Sequence, residues 1–168
     1  MKGLVLGACI AATAAVACKV QQDVAPEASG SSAPRARSDG TDRLRMRAAP
    51  ATGEVASAVR DAMRVAALEK RRLVVYVGAT WCEPCRKVHE AAEQGELDAA
   101  FGQLDLLEFD LDRDGERLRS AGYKSQYIPL FALPSADGTA SGKQLEGAIK
   151  GEGAVAFIRP RLAKLLAQ

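Results

Sequence analysis

The sequence predicts an α/β domain with a mixed central sheet flanked by helices. Short apolar, β-branched runs alternate with segments of helical periodicity. The first two strands are separated by a helix, which favours parallel pairing through a crossover, whereas the last two are separated only by turn residues and can pair antiparallel. The predicted order is helix, strand, helix, strand, helix, strand, strand, helix.

The first half of the domain is predicted from three segments. Residues 54–72 have apolar side chains at helical spacing and no glycine or proline, which indicates an amphipathic helix. The run LVVYVGA at 73–79 is apolar and short, as a buried strand is. A second helix is predicted from about residue 84 to 94, since Pro84 is tolerated in a first helical turn.

The second half is predicted to contain three more strands and two more helices. The strands are expected at 104–112, 128–133 and 143–149, and the helices at 113–122 and 153–167. Residues 135–142 are rich in turn formers. Pro160 is expected to kink or split the last helix, because proline has no N–H to donate.

The first 17 residues predict an export signal. Lys2 is followed by an uncharged, mostly apolar run to Ala17, shorter than the about 20 residues that span a bilayer. Ala15-Val16-Ala17 forms a small-x-small cleavage site directly before Cys18. This placement resembles a bacterial lipoprotein signal, although Ala15 stands where such signals usually carry leucine. The resemblance implies lipidation of Cys18 and a lipid-anchored protein on the periplasmic side of a membrane, whereas ordinary cleavage would give a soluble exported protein.

Residues 18–52 are predicted to be a flexible linker, and 53–168 the folded domain. The linker is rich in Ala, Pro, Ser, Gly and charge, so it cannot bury enough surface to offset its ordering entropy. Its five closely spaced arginines are interpreted mainly as part of a solvated tether, and contact with an anionic membrane surface is the alternative. They are Arg35, Arg37, Arg43, Arg45 and Arg47.

Charge and ligand counts argue against nucleic-acid and metal binding. The net charge is +2, which gives no electrostatic basis for binding nucleic acid. A zinc site needs about four ligands, and the domain offers one C-x-x-C and the single histidine, His89, interpreted as a solvated helix residue. The alternating Asp110, Asp112 and Asp114 lack the rest of a calcium loop and are expected at a strand end and helix cap. No metal or cofactor is predicted.

The most informative motif is Trp81-Cys82-Glu83-Pro84-Cys85, between a predicted strand and a predicted helix. A helix N-terminus favours a thiolate, the nucleophile of disulfide exchange. Cys82 at the helix mouth is therefore the expected attacking thiol, and Cys85, one turn further, the expected resolving thiol. A purely structural disulfide is the alternative, but so small a loop would stabilise the fold little.

In this context the motif resembles the active site of the thioredoxin family. Ile128-Pro129, about 40 residues later and before a strand, resembles that family's cis-proline site, and the closing strand pair and helix also fit. The resemblance covers residues 53–168. It implies a thioredoxin-like fold and a substrate-binding surface formed by Trp81, Glu83, Pro84, Ile128 and Pro129.

Four positions depart from the family's pattern. Tyr76 replaces the buried aspartate that usually relays a proton, and is expected to be a core residue. Glu83 replaces a common glycine and places a negative charge beside Cys82. Tyr127 and Leu130 replace a frequent glycine and threonine. These changes bear on redox poise and substrate groove more than on fold.

The sequence therefore predicts an exported thiol–disulfide oxidoreductase acting on disulfide-containing protein substrates. Pro84 and Ile128 resemble thioredoxin itself, which favours reduction and implies a membrane thiol donor as a partner. The alternatives are a redox-inactive thioredoxin-fold binding module of an envelope complex, and a dedicated cytochrome or metal-site maturation factor. A monomer is expected, since no dimerisation element is evident.

Overall fold

The computed structural model describes residues 42–168. The predicted export signal, the predicted lipidation site Cys18 and most of the predicted linker lie outside the described residues. None of the helices in the described range is long and apolar enough to cross a membrane.

The described range contains five strands and five helices. They are β1 (Arg45–Ala48), α1 (Val55–Leu68), β2 (Arg72–Gly78), α2 (Glu83–Glu93), α3 (Asp98–Phe101), β3 (Leu104–Asp110), α4 (Leu111–Ser120), β4 (Leu130–Pro134), β5 (Ala140–Glu146) and α5 (Ala154–Leu166). The predicted order is correct, with β1 and α3 added to it.

The strands form one mixed sheet in the order β1-β3-β2-β4-β5. β1 and β2 each pair parallel with β3, as expected for strands joined by crossovers. β4 pairs antiparallel with β2, and β5 antiparallel with β4. β2 therefore lies at the centre, and six of its seven residues are buried, which explains its uninterrupted apolar sequence.

Two hydrophobic clusters cover the two faces of the sheet. Alternation along β2 sends Val74 and Tyr76 toward α2 and α5, and Val75 and Val77 toward α1. The site described below is built on the first face.

The predicted boundary at residue 53 is wrong. Residues 45–48, assigned to the linker, form β1, whose four residues pair with 105–108 of β3. Its sequence RMRA has too few apolar residues to indicate a strand, but short, charged strands are common at sheet edges. Arg43, Arg45 and Arg47 are not a solvated tether, because they form ion pairs with Asp98, Glu69 and Asp105 respectively.

A buried carboxylate links this edge strand to the rest of the domain. Asp105 of β3 has no exposed side-chain surface, and Arg71 and Arg47 contact its two oxygens. The Arg71 guanidinium is 1% exposed and also donates to the carbonyls of Arg43, Gly102 and Leu104. Such a network satisfies the buried charges, so the loss of one member leaves the others unpaired.

Pro160 was predicted to kink or split the last helix, and the structure shows that it does not split it. α5 runs from Ala154 to Leu166 as one element. Its buried residues include Ala154, Ile158 and Leu162, whereas Pro160 is exposed. Because proline has no N–H, the carbonyl of Ala156, four residues earlier, receives no hydrogen bond from it. Ala156 is also exposed, so water can hydrate this carbonyl.

Replacement of Asp105 by asparagine should lower the free energy of unfolding by about 3–5 kcal/mol, because it leaves buried Arg71 without its counter-charge. Urea unfolding followed by circular dichroism measures the change. Asp61→Asn is the matched control, since Asp61 pairs with Arg64 while 63% exposed, and should change the value by less than about 1 kcal/mol. Equal losses in the two variants would contradict the role of the network.

Candidate functional site

The site begins where β2 ends and α2 starts. Cys82 is the N-cap of α2, in extended backbone conformation, and its Sγ accepts a hydrogen bond from the Cys85 N–H at 3.2 Å. Pro84 lies in the first turn, where a missing N–H costs nothing. The sulfur thus lies at the positive end of the helix dipole, which stabilises a thiolate.

Cys82 and Cys85 form a disulfide with their Cα atoms 5.2 Å apart. Both residues are buried, with 4% and 2% of their surface exposed. The two cysteines nevertheless line different cavities. Cys82 lines a groove at the surface, whereas Cys85 lines a second cavity between α2 and the ends of β2 and β3. This separation fits the sequence-based assignment of Cys82 as the attacking thiol.

The surface groove contains most of the predicted substrate-binding residues. Trp81 is 64% exposed, and its Nε1 donates to Asp112 at 2.9 Å, which fixes the indole beside the cysteine. Tyr127 is 65% exposed and adds a second aromatic ring. The groove is lined by Trp81, Cys82, Glu83, Pro84, Leu111, Ser125, Gln126, Tyr127, Ile128, Gly147, Ala148 and Lys150.

The Ile128–Pro129 peptide bond is cis, which the sequence left open. Pro129 is buried and directly precedes β4, and the β2–β4 register pairs Val77 with Leu130, its neighbour. The proline therefore lies beside the end of β2 that leads to the cysteines. Its carbonyl accepts from the Gly147 N–H at 2.9 Å, which ties this segment to the end of β5.

Glu83 lines the groove and also forms a hydrogen bond with the loop before α5. Its Oε1 accepts a hydrogen bond from the Gly151 N–H at 3.0 Å, in the segment between β5 and α5. Glu83 therefore joins the first turn of α2 to the loop that forms another wall of the groove. Lys150 also lines the groove and supplies a positive charge near this carboxylate.

The second cavity contains an acid–histidine pair beside Cys85. His89 Nε2 lies 2.6 Å from Glu108 Oε1, with 36% and 28% of the side chains exposed. The hydrogen bond with Glu108 raises the pKa of His89, more than partial burial lowers it. His89 is thus not the solvated helix residue that the sequence suggested. One indication of this pair is present in the sequence. Glu108 is a charged residue on the same face of β3 as the buried Leu104 and Leu106, where an apolar residue is expected.

Tyr76 is a core residue, as predicted. It has no exposed surface, contacts Phe131 and His89 through its ring, and donates its hydroxyl to the Cys85 carbonyl at 3.5 Å. Burial, reinforced by the charge of Glu108, raises the pKa of Tyr76. The hydroxyl therefore stays protonated at neutral pH.

The acidic run that starts at the end of β3 caps a helix, as predicted. Asp110 is the N-cap of α4 and accepts from the Arg113 N–H. Asp114 is fully buried, and although burial opposes it, hydrogen bonds from Arg113 and Arg117 lower its pKa. Within residues 42–168 no group of three or more histidine, cysteine, aspartate or glutamate side chains is placed to hold a metal ion.

Comparison with known proteins gives structural similarity to thioredoxins. No protein-family model matches the sequence, and no curated protein matches it. Thioredoxin O1 from Arabidopsis thaliana, in its oxidised state, shares 19% identity over 75% of this chain and 96% of its own, with a TM-score of 0.44. A poplar thioredoxin h shares 19% over 75% and 98%, also with a TM-score of 0.44. Arabidopsis thioredoxin O2 shares 18% over 76% and 94%, with a TM-score of 0.36.

Because these identities and TM-scores are low, the fold is assigned from this chain's own architecture. A mixed five-stranded sheet lies between two layers of helices, a C-x-x-C disulfide begins the helix after the central strand, and a cis proline precedes the antiparallel strand. The chain therefore has a thioredoxin-like fold with a cysteine pair placed for thiol–disulfide exchange.

Proposed function

We propose that this protein is a thiol–disulfide oxidoreductase that reduces disulfides in protein substrates. The observation that carries the proposal is the position of Cys82. Its sulfur caps a helix N-terminus, is bonded to Cys85, and lines the same groove as Trp81 and Ile128. A structural disulfide has no need of such a groove beside one of its two sulfurs.

The proposed cycle begins with the reduced cysteine pair. The Cys82 thiolate attacks one sulfur of a substrate disulfide, forms a mixed disulfide, and releases the other substrate sulfur as a thiolate. Cys85 then attacks Cys82 Sγ, so that the Cys82–Cys85 disulfide forms and the second substrate thiolate leaves. Two electrons pass from the protein to the substrate, and a thiol donor must return them before the next cycle.

The groove supports an extended peptide segment as the substrate. Trp81 and Tyr127 offer exposed aromatic surface, while Ser125 and Gln126 of the segment before the cis proline add polar groups. Glu83 and Lys150 place both signs of charge along the groove. We expect substrates with apolar residues flanking the target cysteine, and a penalty for acidic residues next to Glu83.

Single-cysteine variants test the exchange chemistry. Full-length protein in which Cys9 and Cys18 are serine isolates the pair. Cys82→Ser should abolish reduction of a disulfide-containing protein such as insulin, because the nucleophile is lost. Cys85→Ser should lose turnover but accumulate a mixed disulfide at Cys82, visible by non-reducing electrophoresis. Normal folding with no mixed disulfide in Cys85→Ser would favour the rival reading, a redox-inactive binding module.

The reduction potential of the pair decides the direction of electron flow. Pro84 and Ile128 favour a reducing pair, so we expect a value near about −270 mV, from equilibration in thiol buffers and alkylation. A value near about −120 mV would instead make the protein an oxidant. The measurement requires the chain from residue 42 or earlier, since truncation at residue 53 would remove β1. Activity toward one apocytochrome or metal-site client alone would support the maturation-factor alternative.

We also propose that the protein is exported and held on the periplasmic side of a bacterial membrane by a lipid on Cys18. A reductase in an oxidising compartment needs an electron supply, so a membrane thiol donor is the proposed partner. Cys18→Ser should move the protein from the membrane fraction to the soluble fraction, whereas Cys9→Ser should not. An unchanged distribution in Cys18→Ser would refute lipid anchoring at this residue.

A further inference from the structure

The cavity beside Cys85 supplies what the second step of the proposed cycle needs. Cys85 must lose its proton before it attacks Cys82, yet it is 2% exposed, and burial disfavours a thiolate. The Tyr76 hydroxyl contacts the Cys85 carbonyl but holds its own proton. A separate proton acceptor is therefore required near this sulfur.

We propose that His89, held in place by Glu108, accepts the proton of the Cys85 thiol when Cys85 resolves the mixed disulfide. This inference rests on the proposed oxidoreductase function. It assigns His89 to the reaction and makes Glu108 a positioning residue.

Helix geometry and the cavity place His89 with Cys85. The two residues are four apart on α2, which puts their side chains on the same face of the helix, one turn apart. Both line the cavity between α2 and the ends of β2 and β3, whereas Cys82 does not. A proton can pass between them directly or through water within that cavity.

Glu108 determines which ring nitrogen can receive the proton. A carboxylate accepts, so His89 Nε2 carries the hydrogen of the 2.6 Å bond to Glu108 Oε1. The lone pair is then on Nδ1, which has no hydrogen-bond partner among residues 42–168. Glu108 also stabilises the imidazolium that forms when Nδ1 takes the proton.

The charges around the cavity favour the same transfer. Glu90, Glu93 and Arg86 of α2 face it, together with Glu108 and Asp110 of β3. Glu90 is paired with Lys87, and the remaining carboxylates of Glu93, Glu108 and Asp110 outnumber Arg86, so a proton on the imidazole is favoured electrostatically. The pKa of His89 is raised, chiefly by the hydrogen bond with Glu108, so the imidazole holds an accepted proton more firmly than a free histidine does.

The step balances without any added reagent. The Cys85 S–H bond breaks and its proton moves to His89 Nδ1. The Cys85 sulfur forms a bond with Cys82 Sγ, and the bond from Cys82 to the substrate sulfur breaks. The substrate leaves as a thiolate, the pair is oxidised, and His89 releases its proton to solvent before the next cycle.

The single histidine of the chain allows a direct test that needs no activity. The imidazole resonances are titrated by NMR in Cys82→Ser and in Cys82→Ser/Cys85→Ser, both with Cys9 and Cys18 replaced by serine and no histidine tag. A thiolate next to the imidazole should add a second inflection in the first variant and none in the second. Identical titration curves in the two variants would overturn the proposal.

A second measurement follows the two chemical steps separately. Reduced protein with Cys9 and Cys18 replaced by serine, reacted with 5,5′-dithiobis(2-nitrobenzoate), releases one coloured thiolate when Cys82 attacks and a second when Cys85 resolves. His89→Gln should slow the second release about tenfold at pH 7 and change the first less than about twofold. Glu108→Gln should slow the second release in the same direction.

Glu90→Gln is the matched control, because Glu90 lines the same cavity but pairs with Lys87. It should leave the second release within about twofold of the parent. A His89→Gln rate no slower than that of Glu90→Gln would overturn the proposal while the exchange function stands. If neither thiolate is released by the parent protein, the proposed function fails, and the NMR comparison still decides whether the two groups are coupled.

Discussion

The start of α2 is the constraint on which the site depends. A helix begins with N–H groups that have no partner within it, and here Cys82 Sγ accepts one of them from Cys85. The central strand β2 leads into this first turn and therefore fixes its position. β2 is buried on both faces, so a shift along its neighbours would expose its valines. Redox chemistry and helix capping therefore use the same sulfur, at a point held by the core.

The two cysteines share one turn of helix but lie in different surroundings. Cys82 lines the surface groove, and the helix dipole favours its thiolate. Cys85 lies behind it, next to the His89–Glu108 pair. In the proposed cycle these surroundings match the two steps, because the first thiol must meet a partner protein and the second must only lose a proton inside the domain.

Most of the fold and the position of the cysteines could be predicted from the sequence, because they depend on local patterns. β2 and β3 are buried apolar runs, and α2 carries both its proline and its cysteines in one short motif. β1 could not be predicted, since its arginines are stabilised by Glu69 and Asp105, which are distant in sequence. The His89–Glu108 pair could not be predicted for the same reason, because it joins a helix to a strand that are brought together only by the tertiary fold.

The tyrosine at 76 and the glutamate at 108 are best understood together. The parallel register places Tyr76 directly beside Glu108, and both side chains are on the face that α2 covers. A carboxylate at 76 would put two negative charges side by side in a largely buried position, which is unfavourable unless one of them holds a proton. A neutral tyrosine avoids this repulsion and fills the space against Phe131. The carboxylate next to Cys85 is then supplied by Glu108 of β3 rather than by β2, and it contacts His89, which lies on the same helix as Cys85.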